Sequence, residues 1–148
     1  MSAALQVELD GALSAVLDDM QRSLAELADE LATERAALLA ADVPAIDAAG
    51  ARKQGLMQAL EQLDAERQQL VSSAPRIAAA QQARWQELLG RLRECRDLNQ
   101  RNGSIVQQRL GSVRRALAIL TGQDSEAGVY GRSGALHASA RSHMLAEV

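Results

Sequence analysis

Apolar residues recur at helical spacing along most of the chain, and this pattern divides it into three long segments. Over residues 3–40 the apolar positions form triplets that repeat every eleven residues, or about 3.67 residues per turn, which is typical of a nearly straight helix. We expect the one charged member, Arg35, to lay its stem along the stripe and extend its guanidinium to solvent. The stripe comprises Leu5, Leu9, Leu13, Val16, Met20, Leu24, Leu27, Leu31, Arg35 and Leu38.

The second segment, over residues 44–71, follows a seven-residue repeat. Asp42 precedes it as a predicted helix cap, and Pro44 is tolerated in a first turn because the N–H that it lacks would have no partner there. Lys53 and Arg67 fall on the line of residues that faces the neighbouring helices, so each must find a partner or reach solvent. That line comprises Ile46, Ala49, Lys53, Leu56, Leu60, Leu63, Arg67 and Leu70.

The third segment, over residues 76–121, follows a break that ends at Pro75, and it begins with a 3.5-residue repeat typical of a coiled coil. Asn99 and Asn102 occupy this repeat, where an amide costs free energy unless it is hydrogen-bonded. We predict that they set the register of the helices rather than perform chemistry. After Val106 one step grows from three residues to four, a stutter that locally unwinds the coil. The repeat comprises Trp85, Leu88, Leu92, Cys95, Asn99, Asn102 and Val106.

These segments predict an all-α protein, an antiparallel up-down-up bundle of three long, coiled-coil-like helices over residues 1–122. Pairing the second and third helices about Ser73–Ala74 would place Leu63 near Trp85. Residues 123–148 contain several glycines and no sustained periodicity, so we expect a flexible tail in which residues 136–145 could form a short helix.

The predicted helix lengths leave the last third of the third helix without a neighbour, because the second helix is much shorter. We therefore expect an exposed apolar stripe, which generally marks an interaction site. Two alternatives remain open: a break at Gly103 or Gly111 that folds the segment back, or burial in a homodimer. The candidate binding residues are Ile105, Val106, Leu110, Val113, Leu117 and Leu120.

Composition and motifs narrow the function further. The net charge of −3 argues against a protein that binds nucleic acid through phosphate contacts, and no apolar run is long enough to span a membrane. We expect no signal peptide, and the single Cys95 suits a reducing cytoplasm as a small core residue. His137 and His143 are read as exposed residues rather than metal ligands. No nucleotide-binding or hydrolase motif is present, so we predict neither enzymatic activity nor a cofactor.

Three local patterns resemble the FlgN family of flagellar export chaperones. They are the run Lys53, Leu56-Met57, Leu60, Leu63 and Arg67; the signature Asn99-x-x-Asn102-Gly103; and the late Tyr130-Gly131-x-x-Gly134. The resemblance implies a cytoplasmic chaperone of flagellar type III secretion that uses no cofactor. Such a chaperone would bind a C-terminal amphipathic segment of hook-associated proteins 1 and 3 and prevent their premature assembly. It would then deliver them to the export gate, which it would contact through Tyr130.

The main alternative belongs to a different class: a non-catalytic coiled-coil structural or adaptor protein whose exposed stripe closes a homodimer. It requires no client protein. A helical hairpin that binds RNA or DNA is disfavoured by the acidic net charge.

Overall fold

The computed structural model describes residues 1–122, and every regular element in that range is an α-helix, which confirms the predicted all-α class. The described residues form four helices rather than three: α1 (Ala3–Ala40), α2 (Val43–Ser73), α3 (Pro75–Ala80) and α4 (Gln82–Leu120). The third predicted segment is divided at Gln81, whose φ of −93° and ψ of 4° lie outside the α-helical region. The predicted flexible tail over residues 123–148, including its short helix and Tyr130, lies outside the described residues.

Polar side chains cap the N-termini of α1 and α2. The hydroxyl of Ser2 accepts a hydrogen bond from the Leu5 N–H (3.2 Å), and the Asp42 carboxylate accepts one from the Ala45 N–H (3.2 Å), which confirms the predicted cap of α2. Between α1 and α2, Ala41 adopts the left-handed conformation with φ 54°. This conformation lets the Asp42 N–H donate to the Ala37 carbonyl (3.0 Å) and closes a very short turn.

The chain divides into two compact units, Met1–Ile105 and Val106–Val148, and α4 contributes residues to both. In the first unit, three side chains of α4 donate hydrogen bonds to α1. Arg84 donates to the Ser14 hydroxyl, Cys95 to the Leu24 carbonyl and Asn102 to the Leu31 carbonyl. These pairs keep an offset of 70 or 71 residues, so α1 and α4 run in the same direction where they touch.

Helix α2 runs opposite to α4 in the first unit. Lys53 of α2 contacts Asn99, and Arg67 lies over the ring of Trp85, 3.7 Å from its centroid. Both contacts are made by the ends of long side chains, so the predicted pairing of Leu63 with Trp85 stays a prediction. The connection between α2 and α4 contains the short helix α3.

Helix α1 supplies most of the core of the first unit. Its predicted stripe is buried from Leu13 to Leu38 except at Arg35, which is exposed while Glu34 is buried instead. At the beginning of the stripe, Leu5 is exposed and Leu9 is half-buried. The spacing 31, 34, 38 continues the three- and four-residue steps of the stripe, so Glu34 takes the inward position and meets the cation of Lys53. The core residues are Leu13, Val16, Leu17, Met20, Leu24, Leu27 and Leu31 of α1, Leu60 of α2, and Leu88 and Cys95 of α4.

Within residues 1–122, none of the helices combines the length and the apolar character that a membrane crossing requires.

Candidate functional site

The described part of the second unit carries an exposed row of apolar side chains on α4, which we call the C-terminal stripe. At about 100° per residue, its spacing of four, three, four and three places all its members within an arc of about 80°. Exposed apolar surface of this kind commonly marks a binding site. The stripe consists of Val106 (38% exposed), Leu110 (44%), Val113 (55%), Leu117 (53%) and Leu120 (82%).

Two other apolar residues of α4, Ile105 and Ile119, do not belong to the C-terminal stripe. Ile105, which we also predicted as a binding residue, belongs to the first unit and is half-buried. Ile119 was not predicted, and it is 62% exposed on nearly the opposite side of the helix from the stripe. Helix α4 continues through Gly103 and Gly111, so the alternative of a break at either glycine is wrong.

A second feature, in the first unit, is a group of four side chains that we call the polar cluster: Glu34, Lys53, Asn99 and Asn102. The Asn102 amide, which is 2% exposed, donates both to the Leu31 carbonyl (2.9 Å) and to Glu34 Oε2 (2.8 Å). Lys53 Nζ donates to Glu34 Oε1 (2.8 Å) and to Asn99 Oδ1 (3.1 Å). The carboxylate of α1 is therefore shared by an amide of α4 and an ammonium of α2.

The polar cluster explains why the charged and polar residues in the predicted repeats are tolerated. A buried charge is costly unless it is paired and hydrogen-bonded, and here the Glu34 carboxylate is both. Sequence reasoning missed Glu34 because it assigned the inward position to Arg35. The signals that could have found it are the 31, 34, 38 spacing and the facing cation at Lys53.

A third feature is an apolar groove of about 280 Å³ between α2 and α4 in the first unit. Met57 and Leu92 on its walls are 37% and 39% exposed. Leu92 belongs to the predicted 3.5-residue repeat of α4, whose apolar members would face neighbouring helices. Leu92 is half-exposed because Leu88, Cys95 and Asn102 occupy the side of α4 that faces α1. The side that contains Leu92 faces α2 across the groove. The floor is formed by Leu24, Leu27 and Leu31.

Cys95 is a core residue, as predicted. It is 5% exposed, and its thiol donates to the Leu24 carbonyl (3.7 Å). Burial raises the pKa of this thiol, and the neighbouring Glu94 carboxylate raises it further, so the sulfur stays protonated and unreactive. Among the residues that the structure describes, no group of histidine, cysteine and carboxylate side chains could hold a metal ion, while His137 and His143 lie outside them.

The model of the FlgN protein family matches residues 9–138, which is most of the chain. No curated protein and no solved structure matches the chain significantly. The chain therefore belongs to the FlgN family, a family of flagellar export chaperones.

Proposed function

We propose that the protein is a cytoplasmic, non-catalytic export chaperone whose clients are hook-associated proteins 1 and 3. It binds a C-terminal amphipathic segment of each client, prevents premature assembly and delivers the client to the type III export gate. The observation that supports this proposal best is the C-terminal stripe, an exposed apolar face in a chain of the FlgN family.

The chemistry of binding follows from the stripe. An amphipathic client helix can cover the row from Val106 to Leu120 with its own apolar face. Each Å² of apolar surface that leaves water contributes roughly 25 cal/mol, and a helix-sized contact retains useful affinity after the ordering costs. Ile105, at the end of the first unit, belongs to the proposed client-binding set.

The test compares two exposed apolar positions on opposite sides of α4. Leu117→Ser removes a stripe residue, and Ile119→Ser makes a similar change off the stripe, where the side chain is also exposed. We expect Leu117→Ser, alone or with Leu110→Ser, to weaken client binding about tenfold or more in calorimetry, while Ile119→Ser leaves it nearly unchanged. Equal effects of Leu117→Ser and Ile119→Ser, or none of Leu117→Ser, would reject the stripe as the client site.

We further propose that α1, α2 and α4 form a three-helix up-down-up bundle whose register is set by Asn99 and Asn102. The supporting observation is the polar cluster: a one-turn slip of α4 along α1 would separate the Asn102 amide from Glu34 and the Leu31 carbonyl. Asn102→Leu should therefore yield mixed oligomeric states in sedimentation velocity. Gln100→Leu, at an exposed neighbouring position, is the control and should remain homogeneous.

Tyr130 is proposed as the residue that docks to the export gate, on the basis of the resemblance to FlgN-type chaperones. Tyr130→Ala should leave client affinity within about twofold, under 1 kcal/mol, and weaken binding to the cytoplasmic domain of the gate. Tighter client binding with normal gate binding would instead identify Tyr130 as a cover over the stripe.

The homodimeric adaptor remains the second candidate, because a second copy could also cover the C-terminal stripe. Sedimentation of the protein alone and with its clients distinguishes the two functions. A monomer that forms a one-to-one complex supports the chaperone, and a tight dimer that ignores clients supports the adaptor.

A further inference from the structure

The chain turns out of helix α4 directly after the C-terminal stripe, which ends at Leu120. Gly122 has a φ of +79°, a left-handed conformation that glycine adopts without steric cost. Its N–H donates to the Ile119 carbonyl (3.2 Å), which is one of the two hydrogen bonds of a Schellman cap. Residues 123–148 therefore begin at the end of the stripe and leave the direction of the helix there.

The sequence beyond this cap contains an apolar face of its own. In the short helix predicted over residues 136–145, Leu136, Ala140 and Met144 recur every four residues, which places them within an arc of about 80°. The C-terminal stripe occupies an arc of about the same width. Leu145 falls on the side of the predicted helix opposite Leu136. All four residues lie outside the described part of the chain, so this face is a feature of the sequence.

The residues between the cap and this face have a length that matches the stripe. They are residues 123–135 and include Gly128, Gly131 and Gly134. A coil of about 13 residues has an average end-to-end distance of roughly 18–22 Å. The stripe from Val106 to Leu120 extends over roughly 21 Å, at about 1.5 Å per residue. A tether whose average span matches the distance to be bridged gives the highest effective concentration, which is millimolar for a short tether.

We propose that residues 136–145 fold back onto the C-terminal stripe of the same chain and cover part of it when no client is bound. Leu136, Ala140 and Met144 pack against the stripe as a short amphipathic helix packs in an apolar groove. The segment then occupies the place that the proposed function gives to a client, and a client must displace it. The inference goes beyond that function, because it concerns the free chain and requires no client.

The tether favours this occupant over a second copy of the chain. The apolar face consists of two large side chains and one alanine, so little binding free energy remains after the cost of ordering the segment. A separate molecule at micromolar concentration leaves so weak a site mostly empty, whereas the tethered segment is present at a roughly millimolar effective concentration. The contact is therefore intramolecular, and a client helix with a longer apolar face displaces it.

The direct test places a nitroxide spin label on the full chain at Ser142→Cys, which lies on the side of the predicted helix away from its apolar face. Cys95 escapes labelling because it is 5% exposed and its thiol pKa is raised, and the unsubstituted chain treated with the same label is the control. We expect the label to broaden the amide resonances of residues 106–120 in the free chain, and chemical reduction of the label to restore them. Absence of broadening in residues 106–120 would overturn the proposal.

Two adjacent apolar residues provide the matched comparison in the labelled chain. Met144→Ser removes a residue of the proposed face and should abolish most of the broadening. Leu145→Ser makes a similar change off that face and should leave the broadening intact. Equal losses in the two variants would mean that general apolar character, and not this face, brings the segment to the stripe, which contradicts the proposal.

A binding measurement gives the energetic consequence. The probe is a designed amphipathic helical peptide with a leucine stripe, followed by fluorescence anisotropy with the full, unlabelled chain. Leu136→Ser combined with Met144→Ser should tighten binding of the peptide about threefold, as expected if the stripe is open about one third of the time in the unsubstituted chain. Leu145→Ser should leave the affinity unchanged. Unchanged or weaker binding by the double variant would contradict a cover over the stripe.

The remaining outcomes separate this inference from the proposed function. If spin-labelled chains broaden the stripe of isotope-labelled chains that carry no spin label, a second copy covers the stripe and the inference is wrong. If the stripe is broadened within one chain but the C-terminal segments of the proposed clients do not bind, the inference stands and the chaperone function fails. If those segments bind and Leu117→Ser weakens them, but the free chain shows no broadening, only the inference is wrong.

Discussion

Two apolar stripes of this protein are nearly indistinguishable in sequence and opposite in exposure. The stripe of α1 and the C-terminal stripe of α4 both place leucine, valine or methionine at steps of three and four residues. In α1, Leu17, Met20, Leu24 and Leu31 are each 1% exposed, whereas the C-terminal stripe is 38–82% exposed. The comparison shows that periodicity specifies an amphipathic helix and does not specify what covers its apolar face.

The difference between the stripes is also a difference in the free energy that each supplies to folding. Helix α1 is covered by α2 and by α4 within the first unit, and each fully buried aliphatic side chain there contributes about 1.5–3 kcal/mol. The side chains of the C-terminal stripe contribute little until a partner covers them. We infer that α1 holds the first unit together, whereas the C-terminal stripe is accessible for the binding role proposed above.

The largest expected effect comes from the same substitution in the two stripes. Leu24→Ala should lower the free energy of unfolding by about 2–5 kcal/mol, since it empties a closely packed site. Leu117→Ala should lower it by less than about 0.5 kcal/mol, since its side chain is half exposed. Urea unfolding followed by circular dichroism measures both. Comparable losses would show that the C-terminal stripe is buried in the folded protein.

A smaller effect is expected from the polar cluster. Lys53→Met removes the cation from Glu34, and we expect a loss of about 2 kcal/mol in the free energy of unfolding. Fully buried pairs cost about 3–5 kcal/mol when broken, and this one costs less because a fifth of the Lys53 side chain remains exposed.

The control for the polar cluster is the double variant Glu34→Gln with Lys53→Met, which removes both charges while a glutamine oxygen can still accept from Asn102. It should recover at least half of the loss. A double variant no more stable than Lys53→Met would mean that packing, rather than the unpaired charge, causes the destabilisation.

The third expected effect concerns the contact of the Arg67 guanidinium with the Trp85 ring, between α2 and α4. Arg67→Met keeps an apolar stem beside the ring and removes the cation, so we expect a loss of about 0.5–1 kcal/mol, the usual size of an interaction between a cation and an aromatic face. Arg67→Lys should lose less. The quenching of Trp85 fluorescence during urea unfolding gives both values, and a gain in stability for Arg67→Met would contradict the attraction.

The smallest effect concerns Cys95 at alkaline pH. Because its pKa is raised above the ordinary value of 9.0 in the folded protein, the folded state keeps the thiol proton when the unfolded chain releases it. The thiol's contribution to stability is complete at pH values below the ordinary pKa of 9.0, and it is lost as the pH rises through the higher pKa of the folded protein. Between about pH 8 and about pH 10, wild-type stability should fall slightly more than that of Cys95→Ala. Parallel curves for the two proteins would contradict the raised pKa.

Local chemistry in the sequence was sufficient to predict the helices. The predicted ranges 3–40 and 44–71 agree with α1 and α2 within about two residues, because caps and prolines act on the chain next to them. The seven-residue repeat of α2 is buried or half-buried at every predicted position, and Lys53 and Arg67 both found partners. The helix ranges and the repeat depend on residues three or four apart, which a single sequence displays directly, whereas the partners of Lys53 lie on other helices.

Which face meets which neighbour was decided only by the tertiary structure. The inward position near the end of α1 belongs to Glu34 and not to Arg35, because Asn102 and Lys53 converge there from two other helices. Leu92 is half-exposed although it shares its repeat with the buried Leu88 and Cys95, because that repeat faces α1 with one row and a groove with the other. Burial depends on side chains about 70 residues apart in sequence, and the spacing within one helix carries no record of them.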